Sequence, residues 1–258
     1  MLKTEHISFR IGKKQILEDI SIDFIPGEFN MVLGPNGSGK STFLKIFSGD
    51  IDSYTGDVFY SGKNIRKIRK EELATYRAVM SQQPELSFPI TVEEVVMMGR
   101  YPHFTFNPTK KDDAICAEVI QRMNLETFRE RNYLTLSGGE KQRVQYARVL
   151  TQIWEPPSQG SRYLYLDEPL NSLDLNYQQE FLQIAREFCK KDLVMIAVMH
   201  DINLAIQYGD KLYFMKEGKL AASGTPRDIL STGLIEDIFR VRTHIIENPV
   251  THLPLVIY

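Results

Sequence analysis

Two short stretches of this sequence carry residue types suited to phosphate chemistry. The first is Gly34-Pro35-Asn36-Gly37-Ser38-Gly39-Lys40-Ser41, followed by Thr42. It fits the pattern G-x-x-x-x-G-K-[ST], in which glycines let backbone N–H groups turn inward around phosphate oxygens. Lys40 can reach the β- and γ-phosphates of a nucleoside triphosphate, and the Ser41 hydroxyl can ligate Mg²⁺. The second is an apolar run, residues 163–166, that ends in Asp167 and Glu168. An aspartate at a strand end can hold Mg²⁺, directly or through water. Glu168, one residue further, can polarise an attacking water as general base. His200 follows another apolar run, residues 193–199, and can hydrogen-bond a γ-phosphate and position the water.

Leu136-Ser137-Gly138-Gly139-Glu140-Lys141-Gln142-Arg143 adds a different kind of site. Ser137 is placed to open a helix, and the two glycines expose backbone N–H groups at its positive end. That makes a receptor for an anion with no anion encoded nearby.

Such groups must be held at the ends of strands and the starts of helices. Residues 29–33 read as a strand running into the glycine-rich loop, and 41–47 as the helix that leaves it. Residues 6–11 and 16–24 read as strands with hairpin-like spacing, and 58–60 and 78–80 as further short strands. From Thr91 the pattern turns helical: Thr91 to Glu94 has capping-box form, 110–123 is a second helix, and 137–153 a third, again starting Ser-x-x-Glu. Strand-type runs return at 163–166 and 193–199 with a helix between them. Residues 211–258 predict a hairpin around Glu217 and Gly218 and two short helices. The expected fold is α/β, with a β/α core interrupted by a mainly helical insertion over about residues 82–153.

Composition narrows the function classes. The 258 residues are 43% hydrophobic with a net charge of −2, enough for a full core and without an electrostatic bias toward nucleic acid or anionic lipid. The basic residues Lys63, Arg66, Lys67, Arg69 and Lys70 are balanced by Glu71 and Glu72 and read as a solvated surface. Cys116 and Cys189 lack metal spacing and suit a reducing cytoplasm. The N-terminus has no apolar signal core. The run at 193–199 is far shorter than the roughly 18 to 20 residues that span a bilayer. If this protein moves a solute across a membrane, another chain must form the channel.

Taken together, the loop, the 136–143 segment and the Asp167-Glu168 pair resemble the motifs of ABC ATPases, and the resemblance covers nearly the whole chain. It implies a P-loop NTPase core of ABC type with an N-terminal antiparallel β subdomain and an inserted helical subdomain. As one domain over 1–258, the core would be 1–81 and 154–258, and the signature subdomain 82–153. The resemblance also implies that Ser137, Gly138 and Gly139 bind the γ-phosphate of ATP held by a second copy, in a head-to-tail homodimer. Phe9 matches an aromatic that stacks on adenine. Gln82 matches a glutamine that senses Mg²⁺ and the membrane partner, with Gln83 as the neighbouring alternative. Asp174, after Ser172 and Leu173, matches an acid of the loop that crosses the dimer, and His200 the switch histidine. Leu170, where Thr is common, and Glu140, in place of Gln, depart from the pattern without removing a phosphate donor.

The substrates implied are ATP with Mg²⁺. The implied setting is the cytoplasmic face of the cell membrane, peripheral, under two copies of a separate permease served by a substrate-binding protein. Residues 84–98 would offer the docking surface. Residues 92–100 resemble the corresponding segment in importers of iron chelates, haem and cobalamin. Asp167 lies 30 positions after Ser137, and the added stretch, 154–162 with Trp154 and two prolines, resembles haem-importer ATPases. Haem is therefore the expected cargo, with a ferric siderophore or cobalamin as the alternative. A non-transport ATPase, such as one for iron–sulfur cluster assembly, is the reading from a different class. His244 and His252 are read as surface residues rather than haem ligands.

Overall fold

The computed structural model describes residues 1–81, 86–158, 160–171, 173–190 and 192–258. The chain opens with β1 (Leu2–Ile11) and β2 (Lys14–Phe24), an antiparallel hairpin that turns at Gly12, whose φ is +58°. Next comes β3 (Phe29–Leu33), buried at every residue, which leads through the glycine-rich loop into α1 (Lys40–Ser48). β4 (Thr55–Tyr60), β5 (Lys63–Asn64), α2 (Lys70–Ala74) and β6 (Arg77–Met80) follow. The hairpin strands join β4 and β5 in an antiparallel sheet of order β2-β1-β4-β5.

The helical stretch contains α3 (Val92–Met97), α4 (Lys110–Arg122) and α5 (Gly138–Gln152). Each starts at a capping box, formed by Thr91 with Glu94, Thr109 with Asp112, and Ser137 with Glu140. In each case side chains satisfy N–H groups that a helix start leaves open. Arg100, 2% exposed, pins this region from inside. Its guanidinium donates to Asp112 Oδ1 at 2.9 Å on α4 and to the Thr151 carbonyl at 2.7 Å on α5.

The remaining chain alternates strand and helix: β7 (Arg162–Asp167), α6 (Leu175–Phe188), β8 (Leu193–Val198), α7 (Ile202–Tyr208), β9 (Lys211–Lys216). β10 (Lys219–Gly224) closes the predicted hairpin at Glu217 and Gly218, and α8 (Pro226–Ile229) and α9 (Thr232–Phe239) are the two short helices. A second hairpin, β11 (His244–Glu247) with β12 (Pro254–Ile257), is not evident from the sequence pattern, because each strand is only four residues long. It is fastened to α7, where Asn203 exchanges two 2.9 Å hydrogen bonds with the Val256 backbone.

The main sheet has the order β10-β9-β3-β8-β7-β6, with β9, β3, β8, β7 and β6 parallel and β10 an antiparallel edge. Central strands covered on both faces are mainly apolar, and β3, β7 and β8 are buried at every position, with Asn30, Arg162 and Asp167 as the polar exceptions. Alternate residues serve two cores. Leu164, Leu166, Met195 and Ala197 pack toward the helical region, while Tyr163, Tyr165, Ile196 and Val198 pack toward α1 and the antiparallel sheet. The register pairs Val32 with Val198, and Val198 with Asp167, so β3, β8 and β7 end level with one another. In parallel sheets ligands sit beyond the carboxyl ends of the strands, and the three chemistry-bearing segments all leave from there.

Candidate functional site

The loop after β3 is folded tightly against its surroundings. A Cβ at Gly34 would run into the Met215 carbonyl, and one at Gly39, φ +101°, would lie 2.7 Å from Leu17 Cδ2. Only glycine fits at either position. The loop borders a cleft of about 270 Å³ that is lined by Lys14, Ile16, Asn36, Gly37, Gly39, Lys40, Ser41, Thr42 and Glu168. Lys40 Nζ donates to the carbonyls of Gly34 at 2.8 Å and Pro35 at 3.1 Å, so the ammonium arches back over the loop. Burial lowers its pKa, opposed by the nearby carboxylates of Glu168 and Asp167.

Ser41 Oγ donates to Asp167 Oδ1 at 3.2 Å, joining the start of α1 to the end of β7. Asp167 is 7% exposed, and burial raises its pKa while the Ser41 hydrogen bond works the other way. These are two hard oxygen donors at one edge of the phosphate cleft, the donor set that suits Mg²⁺.

Glu168 carries the unusual backbone of the site, with φ +51° in the left-handed region. For a residue with a Cβ this conformation persists only where the surroundings impose it. Its Oε2 accepts from Asn171 Nδ2 at 2.6 Å, and its Oε1 lies 2.7 Å from His200 Nε2. The same carboxylate faces the phosphate cleft and a second cavity of about 120 Å³ shared with Asn171, Gln178, Met199 and His200. A histidine against a carboxylate, beside a phosphate-shaped loop, can orient and deprotonate a water.

The Ser137 segment is built differently. Glu140 N donates to Ser137 Oγ at 3.3 Å, and Ser137 N donates to Glu140 Oε2 at 2.7 Å. The hydrogen bond from Ser137 N foremost, with the Ser137 side chain beside it, holds the Glu140 carboxyl below its usual pKa. Glu140 therefore serves as the cap partner of α5. Gly138 has open space where a side chain would stand. Among the described residues lining the phosphate cleft, none comes from 137–139. Asp174 N-caps α6, its side chain accepting from Tyr177 N at 3.0 Å.

Sequence reading and structure part at Phe9. It lines a separate open cleft of about 710 Å³ with Ser8, Arg10, Gln15, Glu18 and Tyr54, not the cleft of the phosphate loop. Register shifts on either side of Phe9 change the facing of β1 there. Lys14 and Ile16, which no motif marks, occupy the phosphate cleft instead; only the hairpin geometry could have pointed to them. Gln82, Gln83, Pro84 and Ser172 lie outside the described residues.

The remaining candidates are quiet. Burial pushes the thiols of Cys116 and Cys189 up to about 12, which leaves them unreactive. His252 pairs with Glu247 at 2.7 Å on the exposed tail hairpin, and His244 is exposed on β11. Among the described residues there is no cluster of three or more His, Cys, Asp or Glu that could hold a metal, and no helix long and apolar enough to cross a membrane.

The family model described as ABC transporter matches residues 17–171. The chain is 42% identical over 258 residues to a hemin import ATP-binding protein, HmuV, of Mesorhizobium japonicum, covering 100% of this chain and 98% of that one. Among solved structures, a metal-chelate type ABC transporter in an inward-facing conformation aligns with a TM-score of 0.83 at 21% identity, covering 99% and 96% of the two chains. A dimeric bacterial ABC transporter cassette aligns with a TM-score of 0.72 at 25% identity, covering 87% and 98%.

Proposed function

Because this chain belongs to the ABC transporter family, we propose that it is the ATP-hydrolysing subunit that powers a haem importer. The observation that carries the hydrolytic part is the Glu168–His200 pair at the edge of the phosphate-loop cleft. The haem assignment is supported by full-length identity to a protein named for hemin import. Residues 1–81 and 154–258 form the nucleotide-binding core on this reading, and 82–153 the signature subdomain.

ATP is held by the 34–42 loop, whose N–H groups and α1 N-terminus receive the phosphates. Lys40 swings from the Gly34 and Pro35 carbonyls to the β- and γ-phosphates. Ser41 and Asp167, with Gln82, would hold Mg²⁺, which supplies charge neutralisation on the phosphate oxygens. Glu168 accepts a proton from water as its oxygen attacks the γ-phosphorus. The bond between that phosphorus and the bridging oxygen breaks, and its electron pair stays on ADP. His200 holds the carboxylate and the water in line, and the products are ADP and inorganic phosphate.

Open space at Gly138 and the positive end of α5 suit a γ-phosphate bound by a second copy, with Asp174 beside that interface. The working form is then a head-to-tail homodimer on the cytoplasmic face of the membrane, below two copies of a permease fed by a substrate-binding protein. ATP-driven closure moves the permease, and hydrolysis reopens the dimer. The deciding experiment reconstitutes the subunit with its co-purifying membrane partner in vesicles. Stimulation of ATPase activity by haem-loaded, but not siderophore-loaded or cobalamin-loaded, binding protein is expected. Stimulation by either of the others in place of haem would move the assignment to that cargo.

A further inference from the structure

A side chain from the signature helix grips the catalytic turn. Gln142 stands on α5, little more than one turn after Ser137, and its Nε2 donates to the Pro169 carbonyl at 2.6 Å. Pro169 directly follows Glu168, so this hydrogen bond holds the peptide between Pro169 and Leu170, one residue beyond the carboxylate-bearing one. The turn has internal ties of its own: Asn171 N donates to the Glu168 carbonyl at 3.3 Å, and Asn171 Nδ2 to the Glu168 carboxylate at 2.6 Å. Those ties lie within four residues and move with the turn. The Gln142 bond comes from another element and can fix the turn in space.

The helix bearing Gln142 is itself well anchored there. Arg143 Nη2 donates to Glu180 Oε2 on α6 at 3.0 Å, and its guanidinium lies 4.8 Å from the Tyr177 ring centre. Glu168 meanwhile keeps a left-handed φ of +51° that needs outside constraint. We infer that Gln142 is a positioning residue for Glu168, its amide holding residues 168–171 so that the carboxylate faces both the phosphate cleft and His200. The inference rests on Glu168 being the general base. It has a consequence for the dimer: the helix that receives the partner's γ-phosphate at its start also sets the base of its own subunit one turn later. Docking at residues 137–139 is thereby transmitted to hydrolysis in the opposite site.

The test uses the full-length protein with ATP and Mg²⁺, by steady-state kinetics and size-exclusion chromatography. Gln142→Met keeps the length of the side chain and loses its N–H; Gln142→Lys restores a donor of similar reach. A misaimed base costs rate and not affinity, so Gln142→Met is expected to lower kcat about tenfold with KM for ATP unchanged. Its ATP-bound dimer should persist longer, and Gln142→Lys should recover kcat to within about threefold of the parent. Should the Met variant unfold, Gln142→Glu, isosteric and donorless, carries the same expectation. Parent-level kcat in the donorless variant, an equal loss in the Lys variant, or a rise in KM that accounts for the loss would each overturn the inference. Glu168→Gln is measured alongside. Near-normal turnover there sinks the general-base reading itself, whereas an inactive Glu168→Gln with a fully active Gln142→Met sinks only the positioning role.

Discussion

His200 Nε2 lies 2.7 Å from Glu168 Oε1, although 32 positions separate the two residues in the chain. The pairing of Asp167 with Val198 brings them together: Glu168 is one step past the end of β7, and His200 two steps past the end of β8. Parallel register therefore sets the histidine–carboxylate contact, and the left-handed backbone at Glu168 completes it.

Removing the base while keeping its shape should separate binding from chemistry. Glu168→Gln retains an oxygen for Asn171 Nδ2 but cannot take a proton. Turnover should fall by about 10²- to 10⁴-fold, the usual worth of general base catalysis. ATP affinity should hold, and an ATP-bound dimer should accumulate on size-exclusion chromatography. Near-parent hydrolysis would contradict the assignment.

The trans arrangement can be tested with a mixed dimer. Ser137→Arg places a bulky cation at the N-terminus of α5, where it opposes the helix dipole and fills the open space at Gly138. A homodimer of this variant should bind ATP in the loop and hydrolyse it hardly at all. Lys40→Ala should weaken ATP binding outright. A heterodimer of the two should keep no more than one competent site, read as phosphate released per dimer in a single turnover. Two fully active sites would refute shared sites.

Much of the site was legible because its chemistry depends on residue types at fixed short spacing. Residues 34–41 and the Asp167-Glu168 pair need no knowledge of the fold to be recognised. Their meeting was less legible, since the order β3-β8-β7 pairs Phe29 with Met195, and no local pattern encodes a contact so distant in sequence. Phe9 lines a different cleft for a related reason. A strand with shifts at Ile7/Phe9 and Phe9/Arg10 does not keep strict alternation, and one slipped residue reverses its face. Gln142 escaped notice because its hydrogen bond to Pro169 spans 27 positions and engages a carbonyl, which carries no residue signature.

The helical region should depend on one buried ion pair. Arg100 and Asp112 meet at 2.9 Å with side chains 2% and 4% exposed. Burial tends to raise the Asp112 pKa, but hydrogen bonds from Thr109 and Arg100 outweigh it, and the net shift is downward. A depressed carboxyl contributes stability above its unfolded pKa of about 3.9, and that contribution is lost as pH falls through the lower folded value. Asp112→Asn leaves the buried Arg100 with only the longer contact to the partly exposed Glu155 carboxylate at 3.4 Å and should cost about 3 kcal/mol at pH 7 in urea denaturation. The gap between parent and variant should narrow below about pH 4. A gap that stays constant with pH would show that charge is not the cause.

Trp154, which marks the added stretch before β7, is built into the protein's own interior edge. Its ring stacks on Phe188 of α6 at 5.5 Å and 24°, Arg122 of α4 lies 5.5 Å from its centre, and its Nε1 donates to Glu118 at 3.2 Å. Arg162 at the start of β7 lies over the Phe188 ring at 5.2 Å. These contacts among Arg122, Trp154, Phe188 and Arg162 bridge the helical region and the core. Trp154→Ala opens a gap in a half-buried bridge and should cost about 2 kcal/mol, somewhat below a full core truncation. Trp154→Phe keeps the stacking and loses one hydrogen bond, for about 1 kcal/mol. Thermal melts of both variants check the ranking, and Trp154, the sole tryptophan, reports directly on the parent's stack by fluorescence. Because its ring and N–H are engaged by Phe188, Arg122 and Glu118, Trp154→Ala should leave the preference among haem-, siderophore- and cobalamin-loaded binding proteins unchanged. A switch in that preference without a loss of stability would instead make the tryptophan a determinant of cargo.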